Sequence, residues 1–274
     1  MKVRKLSILL LALCFSLLGL LFPLPVQHSA KGFYCDTTYT SSGGTSTDIS
    51  MEFEYDSYTL TDVHLNLLLP AYGSVGKSNA CACVAGTVVI GYYDATLPEL
   101  IPNFEPGIEY EGIYYFHGNT FASTDLESEL YDLMGTNTIA PGTNVTQFKN
   151  GMNSYVNGKG YNISYNSCGN KFNTSTAINY FNQQMPVVLF LNTYEFYTEA
   201  LVQISSTKLR MLGRKKEVGH VVVALGYRQY KFYKNNNLFR TEEFLLVAFG
   251  DDTLGYLDIS NLSYIDESYA IKIY

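Results

Sequence analysis

Three short apolar runs in the second half of the chain constrain its fold more than any other feature. They cover residues 187–191, 220–225 and 244–249, and they are rich in β-branched and aromatic side chains. Runs of this length are typical of strands that are buried on both faces. Segments 256–259 and 269–274 have a similar character, so we expect the C-terminal half of the chain to form a sheet.

The chain before residue 187 shows a different pattern, the spacing of amphipathic helices. Apolar residues recur three or four positions apart in segments 125–134, 143–156 and 176–184. Glycines follow the first two segments, as they often do where a helix ends. Helices that precede strands, with no repeat and no linker after residue 50, predict one α+β domain over residues 51–274.

The first thirty residues have the composition of a secretory signal peptide. Three basic residues precede an apolar segment at 6–22, which two prolines end before the small residue Ala30. The apolar segment approaches the length of a membrane span, so an uncleaved anchor is the alternative. The prolines and Ala30 favour cleavage, and we therefore expect a secreted protein that leaves the membrane after residues 1–30 are removed.

Residues 31–50 are small and polar, and they predict a flexible arm behind the signal peptide. The whole chain of 274 residues has a net charge of −7, which becomes −10 without residues 1–30 because these contain three bases and no acid. An acidic protein is a poor partner for nucleic acids and for anionic lipid surfaces. We therefore expect neither nucleic acid nor a membrane as the partner of the mature chain.

Four cysteines remain beyond the signal peptide: Cys35, Cys81, Cys83 and Cys168. Disulfides persist in exported proteins, and an even number of cysteines allows two of them. A domain of this apolar content does not need disulfides to fold, so their pairing stays open. The cysteine spacing lacks the paired ligands of a structural zinc site, and we expect no bound metal.

Residues 79–94 contain the strongest candidate for chemistry. If a helix begins at Cys81, its thiol lies beside unpaired backbone N–H groups and the positive end of the helix dipole, which favours the thiolate. The β-branched residues at 87–90 favour a strand instead, and Cys81 and Cys83 would then be core residues. The small residues around Cys81 favour close packing of a central helix.

His220 opens the apolar run at 220–225, and the next run ends in Gly250-Asp251-Asp252. Adjacent antiparallel strands could therefore bring a carboxylate to the imidazole of His220. A thiol, an imidazole and a carboxylate are the nucleophile, base and orienting group of cysteine acyl transfer. The alternative for His220 is a core histidine with satisfied hydrogen bonds.

In these segments the chain resembles the secreted bacterial papain-like cysteine peptidases, close to the double-glycine-peptidase-like group of bacteriocin-processing peptidases. The resemblance covers about residues 60–274 and rests on segments 81–94, 100–103, 182–188 and 219–227 in this order. It implies a papain-like α+β fold in which N-terminal helices pack on a C-terminal antiparallel sheet. It also implies a secreted enzyme that hydrolyses peptide or amide bonds of a peptide or protein substrate through an acyl-enzyme and without a cofactor.

The resemblance also implies the roles of individual residues. The nucleophile of the family precedes a Gly-Tyr-Tyr sequence by ten positions, and counting back from Gly91 selects Cys81 rather than Cys83. His220 would be the general base and acid, and Asp251 would orient it.

Three positions depart from the family pattern. Cys83 stands where the family often has proline, so it could be a competing thiol or a disulfide partner. Val75 stands where the family usually has the glutamine that binds the oxyanion, and Asn79 is the possible substitute. Phe249 is an alternative match to the acid position, which would leave Asp251 in a turn together with its neighbour Asp252.

There are two alternatives to the peptidase. One is a catalytically degenerate, secreted or cell-surface binding domain on the same fold. The other is a cell-wall amidase or endopeptidase, although the chain contains no repeat that would bind a cell wall.

Five basic residues shortly before His220 have two interpretations. They could select acidic substrates near the cleft, or they could be a solvated loop on an acidic protein. The five residues are Lys208, Arg210, Arg214, Lys215 and Lys216.

Overall fold

The computed structural model describes residues 45–66, 77–97, 99–102, 109–110, 113–114, 121–197, 202–205, 207–250 and 254–274. Within these residues the chain forms helices α1 to α4 and strands β1 to β13. In chain order they are β1 (Thr45–Glu54), β2 (Ser57–His64), α1 (Cys81–Asp94), β3 (Glu109–Tyr110), β4 (Ile113–Tyr114), α2 (Phe121–Leu133), α3 (Val145–Gly158), β5 (Ile163–Ser167), α4 (Thr174–Asn182), β6 (Val187–Leu191), β7 (Tyr194–Tyr197), β8 (Val202–Ser205), β9 (Lys208–Glu217), β10 (His220–Lys234), β11 (Asn237–Ala248), β12 (Leu254–Asp258), a 3₁₀ turn (Leu262–Tyr264) and β13 (Ile265–Ile273).

Eleven of the strands form one antiparallel sheet. Its order is β1-β9-β7-β12-β11-β10-β6-β13-β5, with β2 beside β10 and β8 beside β9. The short strands β3 and β4 pair separately. The α+β class predicted from the sequence is therefore confirmed.

Strand β10 connects the two halves of this sheet. One edge of its first part pairs with β6, with His220 opposite Leu191. The same strand then pairs with β2 from Gly226 onwards. Glycine is needed at position 226 because the two strands approach closely there: a Cβ on Gly226 would lie only 2.8 Å from the carbonyl oxygen of Val63. The pairing of β10 with β11 has a bulge between Ala224 and Gly226, at the position where β2 replaces β6 on the other edge of β10.

The first half of the sheet supports what we call the helix core, which consists of the buried side chains of α1 to α4 and of the strands they cover. Helix α1 packs against α2, α3 and β10. Small residues allow this close approach, since a Cβ on Gly86 would lie 2.9 Å from Sδ of Met152. A Cβ on Gly151 of α3 would lie 2.9 Å from the backbone N of Met134.

The second half of the sheet encloses a separate group of side chains, which we call the aromatic core. Strands β1 and β2 follow each other through a short turn, and they pair with β9 and β10 respectively. The ring of Phe53 on β1 contacts that of Phe232 on β10, with centroids 4.7 Å apart. The buried members of the aromatic core are Tyr55, Tyr197, Leu209, Met211, Tyr230, Phe232, Phe244 and Tyr256.

The helices predicted at 125–134, 143–156 and 176–184 are present as α2, α3 and α4, with ends shifted by up to four residues. The run at 187–191 is β6, and the run at 220–225 is only the start of the much longer β10.

The expected flexible arm at 31–50 is wrong for residues 45–50, which form the first part of β1 and pair with β9. Its polar side chains suit an edge strand with solvent on one face. Residues 31–44 and the expected signal peptide at 1–30 lie outside the described residues. Within the described part of the chain, no helix combines the length and apolar character needed to cross a bilayer.

Candidate functional site

Helix α1 begins at Cys81, as one of the two interpretations of the sequence required. The β-branched residues at 87–90 are helical here because every one of them is buried, and tertiary packing overrides their preference for a strand. The hydroxyl of Thr87 donates to the carbonyl oxygen of Cys83 at 3.0 Å, so this buried polar group is satisfied within the helix.

The Cys81 sulfur lies at the start of β10. The backbone N–H of Val221, the residue after His220, lies close enough to the sulfur to lower the pKa of the thiol. Burial nevertheless raises the pKa of the Cys81 thiol, because its effect exceeds that of the backbone hydrogen bonds from Val221, Ala82 and Cys81 itself. The sequence-based expectation of a lowered pKa is therefore wrong, although the helix terminus is where it was predicted.

His220 is held by a main-chain acceptor. Its Nε2 lies 2.9 Å from the carbonyl oxygen of Phe249, the residue after β11. Because a carbonyl can only accept, Nε2 carries the hydrogen in the neutral ring and Nδ1 is the basic nitrogen. The ring of Tyr194 stacks on the imidazole, with centroids 5.3 Å apart and an interplanar angle of 21°.

Phe249 is fixed by contacts on both sides. Its ring packs against Phe196, with centroids 4.7 Å apart. The next residue, Gly250, has φ +84°, and a Cβ there would lie 3.0 Å from Cγ1 of Val84 in α1. Asp251, the predicted orienting acid, lies outside the described residues, as does its neighbour Asp252.

Asn79, the predicted oxyanion donor, lies two residues before Cys81 in a left-handed conformation with φ 59°. Its Nδ2 donates to Oδ1 of Asn137 at 2.9 Å. Asn137 is in turn anchored, since its Nδ2 donates to the carbonyl of Ser78 and its Oδ1 accepts from the N–H of Gly142. An amide nitrogen carries two hydrogens, and the bond to Asn137 uses one of them.

The described cysteines Cys81, Cys83 and Cys168 are all free. Cys81 is therefore not linked to its near neighbour Cys83, whose sulfur lies 3.3 Å from Oγ1 of Thr136 on the other side of the helix. Burial raises the pKa of Cys83 to about 11. It also raises the pKa of Cys168 to about 11, whereas Cys35 lies outside the described residues.

The basic segment before His220 is the strand β9 and not a loop. Three of its side chains meet acids of β1: Lys208 and Arg210 pair with Glu52, and Arg214 pairs with Asp48 at 3.3 Å. Lys216 lies differently, with Nζ 5.6 Å from the ring centroid of Phe196 and therefore close to the aromatic rings around His220.

Sequence reasoning missed Tyr194 and the main-chain role of Phe249. A carbonyl leaves no residue-type signal, so the Phe249 bond was not readable from the sequence. Tyr194 belongs to the alternating aromatic segment β7, Tyr-Glu-Phe-Tyr, which a period-two pattern search could have identified as a strand.

No protein-family model matches the chain, and no curated protein matches it either. The described residues contain no group of three or more His, Cys, Asp or Glu side chains that could hold a metal ion. The case for a function therefore depends on the geometry around Cys81 and His220.

Proposed function

We propose that the protein is a secreted, papain-like cysteine peptidase that hydrolyses a peptide or amide bond through Cys81 and His220. The observation that carries this proposal is the closeness of the Cys81 thiol to the backbone N–H of Val221, because it places the first residue of α1 beside the residue that follows His220. Cys81 and His220 are thus 139 positions apart in the sequence, on two elements, α1 and β10, that contact each other in the fold.

The raised pKa of Cys81 indicates how this pair would work. Burial favours the neutral thiol, so the resting site holds a thiol rather than a thiolate. His220 then acts as a general base and takes the thiol proton while the sulfur attacks the substrate carbonyl. The imidazolium gives this proton to the leaving amine, and a water molecule activated by His220 hydrolyses the acyl-enzyme.

The negative charge that develops on the carbonyl oxygen needs donors. The N–H of Cys81 is one of the first backbone donors of α1, which have no acceptor within the helix. We propose Asn79 as the second donor, through the amide hydrogen that does not bind Asn137. In comparable sites, loss of one such donor raises the barrier by about 3 to 4 kcal/mol.

The alternative function is a catalytically degenerate, secreted binding domain, and the same pKa favours it. A buried thiol with a raised pKa is a weak nucleophile unless a base deprotonates it during the reaction. Dependence on His220 therefore distinguishes the two functions.

The test is hydrolysis of a peptide library by the full chain and by three variants. We expect Cys81→Ala and His220→Ala to lower kcat/KM by about 1,000-fold or more, as loss of a nucleophile or base does. The matched control is Cys83→Ala, which removes a thiol two positions away and should retain activity. Hydrolysis that survives Cys81→Ala, or a wild-type protein that cleaves no peptide, would contradict the peptidase.

Labelling provides a second measurement. A peptidyl acyloxymethyl ketone should modify Cys81 in the wild type and fail to do so in His220→Ala. Iodoacetamide reports the resting thiolate, so with the raised pKa we expect its reaction with Cys81 to accelerate as the pH rises above 9. Equal labelling of wild type and His220→Ala by the ketone would favour the binding domain.

A further inference from the structure

We infer that Asn137, in the loop between α2 and α3, is the positioning residue that orients Asn79 as an oxyanion donor. The inference rests on the proposed function, because Asn79 has this task only if Cys81 attacks a carbonyl. Its geometric basis is the 2.9 Å hydrogen bond from Nδ2 of Asn79 to Oδ1 of Asn137, which lies 58 positions further along the chain. That distance is the usual one for a hydrogen bond from nitrogen to oxygen.

Two main-chain groups fix the direction in which the Asn137 amide faces. Its Oδ1 accepts from the N–H of Gly142 at 2.7 Å, and its Nδ2 donates to the carbonyl oxygen of Ser78 at 3.1 Å. A main-chain N–H can only donate and a carbonyl can only accept, so the two ends of this amide cannot exchange places. The Asn137 oxygen therefore also faces Asn79, which must meet it with its NH₂ group and not with its oxygen.

The direction of the Asn79 amide matters because of its place in the chain. Asn79 is half-buried and lies two residues before Cys81. If its amide turned by 180°, an oxygen would stand where the NH₂ group is now. An oxygen cannot donate to the negative charge that develops on the substrate carbonyl. The Asn137 side chain thus determines whether Asn79 places a donor or an acceptor at the start of α1.

The loop that carries Asn137 is itself attached to the neighbouring helices. Thr136 is buried, and its hydroxyl lies 3.3 Å from the sulfur of Cys83 in α1. On the side of α3, Nε2 of Gln147 donates to the carbonyl oxygen of Gly135 at 2.8 Å. These contacts keep Asn137 at a fixed place relative to the start of α1.

Glycine variants of the full chain test the role of Asn137. Asn137 and Asn79 have φ 64° and 59°, which glycine adopts without strain, so Asn137→Gly and Asn79→Gly remove the side chains without forcing the backbone to change. We expect Asn79→Gly to lower kcat by about 100-fold or more with little change in KM, as loss of one oxyanion donor does. Asn137→Gly should lower kcat by about tenfold or more, because Asn79 keeps its amide but loses its orientation.

A double variant and a control show whether Asn137 acts through Asn79. The variant that carries both glycines should be no slower than Asn79→Gly alone, since Asn137 then has nothing to orient. The matched control is Thr138→Ala, which removes a hydrogen bond of the same loop, from the Thr138 hydroxyl to the carbonyl of Gly135, and should retain the wild-type kcat. Each kcat is expressed per Cys81 that the acyloxymethyl ketone labels, so that misfolded protein is not counted.

The side-chain amide of Asn79 provides a measurement that does not need activity. In ¹⁵N-labelled protein, its NMR signals are identified by their loss in Asn79→Gly. We expect the signals of a hydrogen-bonded amide in the wild type and those of a solvated amide in Asn137→Gly. In Asn137→Asp they should stay near the wild-type positions, because a carboxylate still accepts from Asn79 and Gly142.

The results separate this inference from the peptidase proposal. The inference would be overturned by a solvated Asn79 amide in the wild type, which requires no variant of Asn137 to fold. It would also be overturned by a wild-type kcat in Asn137→Gly, by an equal loss in Thr138→Ala, or by a double variant much slower than Asn79→Gly. Each of these results leaves the peptidase intact. A wild-type protein that cleaves no peptide would overturn the peptidase and the catalytic role of Asn137, and the amide signals would still show whether Asn137 orients Asn79.

Discussion

The helix core and the aromatic core differ in the size of the residues that determine their packing. In the helix core, small residues such as Gly86 and Gly151 let three helices approach one another and bring Cys81 to the sheet. In the aromatic core, large rings such as Phe232 and Phe244 fill the space between strands. Because both cores share β10, a strand that extends into the aromatic core also carries His220 to the start of α1. The candidate site thus lies where two kinds of packing meet.

The largest expected effect on stability comes from removing a buried aromatic ring from either core. Phe244→Ala in the aromatic core and Phe148→Ala in the helix core each remove a fully buried ring and should lower the free energy of unfolding by about 3 to 5 kcal/mol. Urea denaturation followed by circular dichroism measures this. If the cores form one cooperative unit, both variants keep a single transition. A second transition in either variant would show that the cores unfold separately.

Alkaline pH should weaken the helix core before the aromatic core. Burial raises the pKa of Cys83 and of Cys168 from 9.0 to about 11, so their stabilising contributions are complete below pH 9 and are lost as the pH rises from 9 to 11. Each shift corresponds to about 2 to 3 kcal/mol. The aromatic core responds later, since the pKa of Tyr197 is raised to about 12.

Urea titrations at pH 8, 9, 10 and 11 would measure this loss in the wild type and in Cys83→Ala. The variant should lose less stability between pH 9 and 11 than the wild type. An identical pH profile for both proteins would show that the Cys83 thiol does not contribute.

Two helical glycines, one buried in the helix core and one exposed, should respond in opposite directions to alanine. A methyl group on Gly86 meets three flexible side chain ends, those of Met152, Leu130 and Met134, and we expect a loss of about 1 to 2 kcal/mol in unfolding free energy. Gly158 faces open space, so alanine there should add about 0.5 to 1 kcal/mol through helix propensity. Thermal unfolding distinguishes them, and a stabilised Gly86→Ala would mean that the helix core is loosely packed.

The smallest effect is expected at the outer edge of the aromatic core. Asp48 and Arg214 form an ion pair whose side chains are 90% and 60% exposed, so solvent and salt screen it. Asp48→Asn should leave the melting temperature unchanged within error. A clear drop would show that β1 depends on charge pairing for its place beside β9.

The sequence predicted the helix core better than the aromatic core. Apolar spacing identified α2 and α3, and the run at 187–191 identified β6, because each of these segments has a single dominant periodicity. The pattern at 51–55 predicted the second part of β1, but its first part and β9 were not identified, since their residues are mostly polar or charged and their pairing makes them strands. Long-range pairing of this kind leaves little local signal in a sequence.

The candidate site also combines features that the sequence predicted with features that it did not. The positions of Cys81 at a helix start and of His220 at a strand start were predictable from local pattern. The direction of the Cys81 pKa was not, because it depends on how much solvent the finished packing excludes from the sulfur. The hydrogen bond between His220 and Phe249 was also hidden, because a peptide carbonyl is common to every residue.

The continuous strand β10 limits where insertions and deletions can be tolerated during evolution. Insertion or deletion of one residue between His220 and the bulge at Ala224 would turn the histidine to the opposite face of the sheet and separate it from Phe249. A length change beyond Gly226 can be absorbed by the hairpin near Asn236 without moving the histidine. Natural length variants should therefore cluster at the far tip of the strand and spare its first five residues.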